Sequence, residues 1–230
     1  MAQAGAEAVA ANPSYSSIID AIKAEAAAIN LTYSTEGDGR LTSAVRETEY
    51  LNRLETGLKA RYPQLVFEKQ PADRWWWDFR VNGIPINLKL TTGGTDNAFN
   101  KVAILYTLSG IEVEKRNMNY NQFFTTVKEC VKKEERDRMT EYHYLVVHKG
   151  TGQILLKSIL DIHTYKSNPC NDLQINWASE FKNWAYRIDE SEGVWSSKMT
   201  ELLKTVQTSV RQAIAGMREF ADANLDELAA

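Results

Sequence analysis

The fold is decided by Trp77-Asp78-Phe79-Arg80-Val81-Asn82-Gly83-Ile84-Pro85-Ile86-Asn87-Leu88-Lys89. Asn82-Gly83 predicts a type I′ hairpin turn, because both residues tolerate positive φ. A two-residue turn sets the register. Val81 then faces Ile84, Phe79 faces Ile86, and Asp78 faces Asn87. Alternation puts Phe79, Val81, Ile84, Ile86 and Leu88 on one apolar face. Asp78, Asn87 and Lys89 fall together on the other, although nothing in local folding needs them there. Asp78 is a hard oxygen ligand of the kind Mg²⁺ takes. Asn87 offers a neutral carbonyl oxygen to the same ion. Lys89 can stabilise charge on a pentacovalent phosphorus and lower the pKa of an attacking water. The trio suits metal-assisted phosphodiester hydrolysis. Its plainer reading is a surface hairpin with solvated polar residues.

Upstream, the spacing predicts a helix from Ser16 or Ser17 through Ile29, and a second from Ser43 to Arg61 that stops before Pro63. Leu51, Leu54 and Leu58 form the buried stripe of the second helix, and Glu47 lies one turn earlier on that face. Glu47 is either a second metal-binding carboxylate or a boundary residue at the helix end, while Glu49 and Glu55 point to solvent. Leu65 to Glu68 reads as a short strand. The alternation of Trp75-Trp76-Trp77 puts Trp76 on the face opposite Trp75 and Trp77, and favours core packing over base stacking.

Downstream, Gly93-Gly94-Thr95-Asp96-Asn97 is a loop, followed by a helix from Ala98 to Ser109. A charged helix spans 120–138, with a solvated mixed-sign face. Residues 142–148 and 153–157 form a hairpin around Lys149–Gly152. A long amphipathic helix covers 196–221, with Met199, Leu202, Leu203, Val206, Val210, Ile214, Met217 and Phe220 on one stripe. That stripe serves as core or dimer interface. The pattern is α+β, a central and mainly antiparallel mixed sheet flanked by helices. It divides into an N-terminal helical arm (1–40), a core (41–190) and a C-terminal long helix (191–230).

The chain of 230 residues is 43% hydrophobic and 10% aromatic, which supports a sizeable core. No apolar run is long enough to span a bilayer, and the first residues do not read as a signal peptide. Cys130 and Cys170 lack CxxC partners, so free thiols in a reducing cytoplasm are expected. His143, His148 and His163 lack zinc-ligand spacing and read as structural. The net charge of −3 excludes a polycation that coats nucleic acid nonspecifically.

Asp78…Asn87-Leu88-Lys89 at the edge of a hairpin resembles the PD-(D/E)XK nuclease signature. Asn87 departs from it where Asp or Glu is usual, although some type II restriction enzymes of this fold carry Asn there. Residues 87–101 (NLKLTTGGTDNAFNK) resemble the catalytic lysine, recognition loop and helix of restriction endonucleases. YHYLVVHKGTGQILLKSILDI (142–162) looks like the next hairpin of that core. Gln174-Ile175-Asn176-Trp177 is similar to a segment that blunt-cutting type II enzymes carry into the major groove. The resemblance covers roughly residues 43–215.

It implies a Mg²⁺-dependent homodimer that cuts duplex DNA at a short palindromic site. The implied catalytic set is Asp78, Asn87, Lys89 and Glu47, with Asp78 and Asn87 on the metal. The implied DNA contacts are Thr91, Thr92, Gly93, Gly94, Thr95, Asp96, Asn97, Lys101 and Asn176. An Asn amide can pair with adenine N6 and N7. For Asn97 helix capping stays open as its role, and for Asn176 a loop hydrogen bond. Two competing functions also stay open: a repair or structure-specific nuclease of the same fold, and a DNA-binding module without catalysis.

Overall fold

The computed structural model describes residues 12–30, 39–73, 75–92, 97–98, 101–112, 118–130, 137–162, 164–166, 174–182 and 194–222. Helix α1 (Tyr15–Ala28) begins at Ser14, whose hydroxyl accepts from Ser17 N–H. The cap falls earlier than Ser16 because Ser14 already holds extended dihedrals and turns its oxygen inward. Helix α2 (Gly39–Arg61) packs beside α1, and Tyr50 donates to Ala26 O at 2.8 Å. The stripe it buries is Tyr50, Leu54 and Leu58, whereas Leu51 stays half-buried. Glu49 and Glu55 pair across the helix surface with Arg46, Arg53 and Lys59, and Glu55 also reaches Lys69.

The strands follow as β1 (Phe67–Lys69), β2 (Phe79–Val81) and β3 (Ile84–Thr91). Asn82 and Gly83 have φ of +48° and +84°, as the type I′ turn demands. The register is Val81 opposite Ile84 and Phe79 opposite Ile86, as expected. Asn82 does more than turn the chain. Its Oδ1 accepts from Val66 N–H at 2.7 Å, which locks the entry of β1 onto the hairpin.

Trp75 to Trp77 lie before β2 and outside any strand, so alternation does not sort them. Trp76 and Trp77 are both buried, the former stacked on Tyr142 and the latter beneath the Arg80 guanidinium at 4.5 Å. Packing, not base stacking, occupies their faces.

Next come β4 (Asn97–Ala98), α3 (Lys101–Ser109) and α4 (Tyr120–Cys130). Residues 97 and 98 are therefore strand, not loop end and helix start, because they pair with a later strand. Residues Val102 to Ser109 are all buried, the state expected of a helix apolar all round. α4 does not run on to 138, since Asp137 caps a separate short turn at Arg138–Thr140.

The hairpin β5 (His143–His148) and β6 (Ile154–Ser158) matches expectation. It is followed by β7 (Tyr165–Lys166), β8 (Gln174–Ile175), α5 (Trp177–Lys182) and α6 (Val194–Ala221).

The main sheet has five strands in the order β1-β2-β3-β5-β6. Every neighbouring pair is antiparallel except β3 and β5, which run parallel. The chain is thus α+β with a mixed, mainly antiparallel sheet. One face holds Phe79, Ile84, Ile86, Leu88 and Leu145 against α1 and α2. The other holds Tyr144, Val146 and Leu155 against α3, Trp177 and the first half of α6. A second sheet, β4-β8-β7, joins the strand just before α3 to the two strands that precede α5.

Buried polar groups tie these layers together. Lys157 on β6 donates to Glu180 on α5 at 2.7 Å, and Glu180 also accepts from Thr164 N–H at 2.7 Å. His143 is fully buried between Tyr15 Oη at 2.6 Å and Glu141 O at 2.9 Å. Burial pulls its pKa down to about 4, so it stays neutral and structural near neutral pH. His163 lies outside the described residues.

Candidate active site

β3 outruns its antiparallel partner. β2 pairs with Ile84 to Ile86 alone, so from Leu88 onward that edge of β3 has no strand beside it. The exposed edge N–H groups must be satisfied by something else. Asp78 Oδ2 accepts from Leu88 N–H at 2.7 Å, and Glu47 Oε1 takes Leu90 N–H at 3.4 Å. Alternate residues along one strand edge are about 7 Å apart. The open edge therefore draws two carboxylates into line, one from the start of β2 and one from α2.

The helical spacing of Glu47, Tyr50, Leu54 and Leu58 explains the second arrival. Burying the three apolar residues leaves Glu47 on the sheet side of α2. Asp78 differs slightly from the expected pairing. The paired ladder ends at Phe79, and Asp78 N–H donates to Ile86 O at 2.9 Å. Its side chain is thereby released to cap the edge.

Lys89 joins these carboxylates electrostatically. Burial pushes the Asp78 carboxyl above the usual range, against the pull of the Lys89 ammonium and the Leu88 N–H. Burial likewise raises Glu47, which Lys89, Leu90 N–H and Lys149 pull down while the Asp78 charge adds to the rise. Two partly desolvated carboxylates sharing one field are a strained arrangement without a further cation.

Asn87 shares the Lys89 face by alternation. Its Oδ1 is buried and accepts no hydrogen bond. Among the described residues, buried oxygens of Glu25 and Asp161 also accept none, but those side chains are ion-paired with Arg61 and Lys198. The Asn87 oxygen has no such compensation, and a buried unsatisfied acceptor costs about 1–3 kcal/mol.

The donor set is all oxygen, with no thiolate or imidazole, and so suits a hard divalent cation. No group of three His, Cys, Asp or Glu side chains clusters for a metal among the described residues. Here two carboxylates and one amide would share the task.

A stability test follows. A carboxyl raised in the folded state stabilises the fold below its unfolded pKa, and that contribution is lost as pH rises through the folded value. Asp78→Asn should therefore raise the melting temperature of the metal-free protein at pH 7. The gain should shrink as pH falls and vanish only below the unfolded carboxyl's own range, and Mg²⁺ should stabilise the wild type more than the variant. Calorimetry showing a lower melting temperature at neutral pH would contradict the desolvated carboxylate.

The other expected residues divide by position. Thr91 ends β3 and is buried, and Thr92 is exposed beyond it. Lys101 opens α3 and is half-buried. Gly93, Gly94, Thr95 and Asp96 lie outside the described residues. Asn97 pairs with Ile175 across β4 and β8, which brings it next in line to Asn176. Asn176 Oδ1 accepts from Ser179 N–H at 3.1 Å and so caps α5. Bidentate reading of adenine uses that same oxygen, whose second lone pair is not taken by the cap. Lys149 escaped the sequence reading. No local signal marks it, and the long-range pairing of β5 beside β3 brings it near Glu47.

No protein-family model matches this chain, and no curated protein matches it in sequence.

Proposed function

We propose that this chain is a Mg²⁺-dependent endonuclease that hydrolyses phosphodiester bonds of duplex DNA, and that it acts at a specific site as a type II restriction enzyme does. The observation that carries the reading is the open edge of β3. There Asp78, Glu47 and Lys89 share one field beside the buried, uncompensated Asn87 oxygen.

Asp78 and Asn87 would hold the cation, with Glu47 as a further oxygen donor. When bound, a divalent cation supplies Lewis acidity at the phosphate and lowers the pKa of water. Lys89 stabilises the negative charge that grows on the phosphate oxygens. The Leu88 and Leu90 N–H groups fix the two carboxylates, so their orientation is set before substrate arrives.

Duplex cleavage on both strands needs two such sites, and a palindromic target mirrors a two-fold dimer. The far half of α6 suits that partner, since Ile214 and Met217 are 43% and 62% exposed on the stripe that Met199, Leu202 and Val206 bury nearer its start. Asn97 and Asn176 stand as base-reading residues, joined through the β4–β8 pair. No helix among the described residues is long and apolar enough to cross a membrane.

One observation favours a DNA-binding module without catalysis. Both carboxylates already serve as caps for strand-edge N–H groups, which gives them a role without metal. Incubating plasmid with the protein and Mg²⁺ separates the readings. Discrete fragments are expected, and their absence after EDTA is part of that expectation. Cutting confined to branched or damaged substrates favours a repair nuclease. No cutting, with retained duplex binding, favours the module.

A further inference from the structure

The turn between β5 and β6 is fixed on several sides. Lys149 N–H donates to Thr91 O at 2.8 Å, which pins Lys149 beside the C-terminal end of β3. His148 Nδ1 accepts from the N–H groups of Gly150 and Thr151, each at 3.2 Å. Gly152 closes the turn with φ +69° and an N–H to His148 O at 2.8 Å. The His148 ring packs edge-on against Phe181 at 5.7 Å. A half-buried lysine held this firmly differs from one on a loose loop tip.

The strand that leads into it alternates across the sheet. Tyr144 and Val146 face α3, and Leu145 and Val147 face α1 and α2. His148 returns to the first side, where it meets Phe181. Lys149 follows in the turn past the end of β5, where alternation no longer sorts residues, and its bond to Thr91 O sets it beside β3 two residues beyond Lys89. Its positive charge is among those that act on Glu47. Lys89 and Lys149 thus both act on the Glu47 charge.

The charge count gives this a consequence. Glu47 and Asp78 bring two negative charges, and Lys89 alone answers one of them. Such an edge repels phosphate until a cation binds. Lys149 balances the second charge. We infer that Lys149 is a phosphate-binding residue of this site, contacting the DNA backbone beside the position served by Lys89. The inference rests on the nuclease reading and adds to it a residue from the β5–β6 turn.

The test is binding of a short mixed-sequence duplex in Ca²⁺, followed by anisotropy across a salt series. Each phosphate contact contributes about 0.9 to the slope of log K against log salt. Lys149→Met should lower the wild-type slope by about that amount, and Lys149→Arg should restore it. A merely structural lysine would change stability and leave the slope alone. The pinning hydrogen bond uses the backbone, so both variants should fold, which thermal melting checks. A Lys149→Met slope equal to wild type overturns the assignment of Lys149 and leaves the nuclease reading standing. Wild-type protein that binds no duplex at any salt overturns both.

Discussion

Lys89→Ala lowers the single-turnover rate of strand cleavage by at least about 10²–10³-fold, the loss seen when one group aimed at transition-state charge is removed. Duplex affinity, measured in Ca²⁺, stays close to wild type, because binding is spread over many backbone and base contacts. The separation follows from where Lys89 sits. It projects from β3 between Leu88 and Leu90, whose N–H groups hold the two carboxylates. It is the strongest electrostatic counterweight to the burial of both carboxyls. Removing it therefore has a second effect. Asp78 and Glu47 rise further, and the pH above which metal binds moves up. Isothermal titration with Ca²⁺ at several pH values reads this without cleavage. An unchanged cleavage rate removes Lys89 from the chemistry.

Glu180→Ala produces the largest loss of stability. It leaves the Lys157 ammonium buried, with that residue only 4% exposed, and takes the acceptor from Thr164 N–H. Breaking a buried pair from one side costs about 3–5 kcal/mol, against a total stability of about 5–15 kcal/mol. Urea denaturation reads the effect as a lower midpoint at unchanged slope.

The pH dependence has a defined sign. Burial alone would raise Glu180, but hydrogen bonds from Lys157 and Thr164 hold it below the usual carboxylate range. Its contribution is present above its unfolded pKa and is lost as pH falls through the lower folded value. Replacing both partners with Leu and Met should recover much of the loss, since an apolar pair of similar volume leaves no charge stranded. A single variant with the wild-type midpoint contradicts the account.

The hairpin was legible because its determinants are local. Asn82-Gly83 fixes φ, φ fixes the turn, and the turn fixes register and face. Asp78, Asn87 and Lys89 followed from that one dipeptide. The amphipathic stripe of α2 was legible for the same reason, although Tyr50 and not Leu51 fills its buried position. What stayed hidden depends on distant partners. Asn97 and Ala98 become strand because Gln174 and Ile175 pair with them. Trp75 to Trp77 carry β-forming residues, yet β2 begins after them. Lys149 enters the site through a parallel pairing that no residue of its turn announces.

The parallel seam between β3 and β5 also shapes how the chain reaches this state. Everything from α1 to β3 can assemble from neighbours in sequence, and so can the β5–β6 hairpin. The seam joins these units only after residues 92–142 have been placed across it. Closing so long a loop is entropically unfavourable, and non-local pairing slows folding. Until it closes, Leu88 to Thr91 and His143 to Val147 present apolar strand edges that the finished sheet buries. Two nascent chains that meet at that stage have matching edges to exchange, so the hazard for this protein during synthesis is self-association along its own unfinished seam.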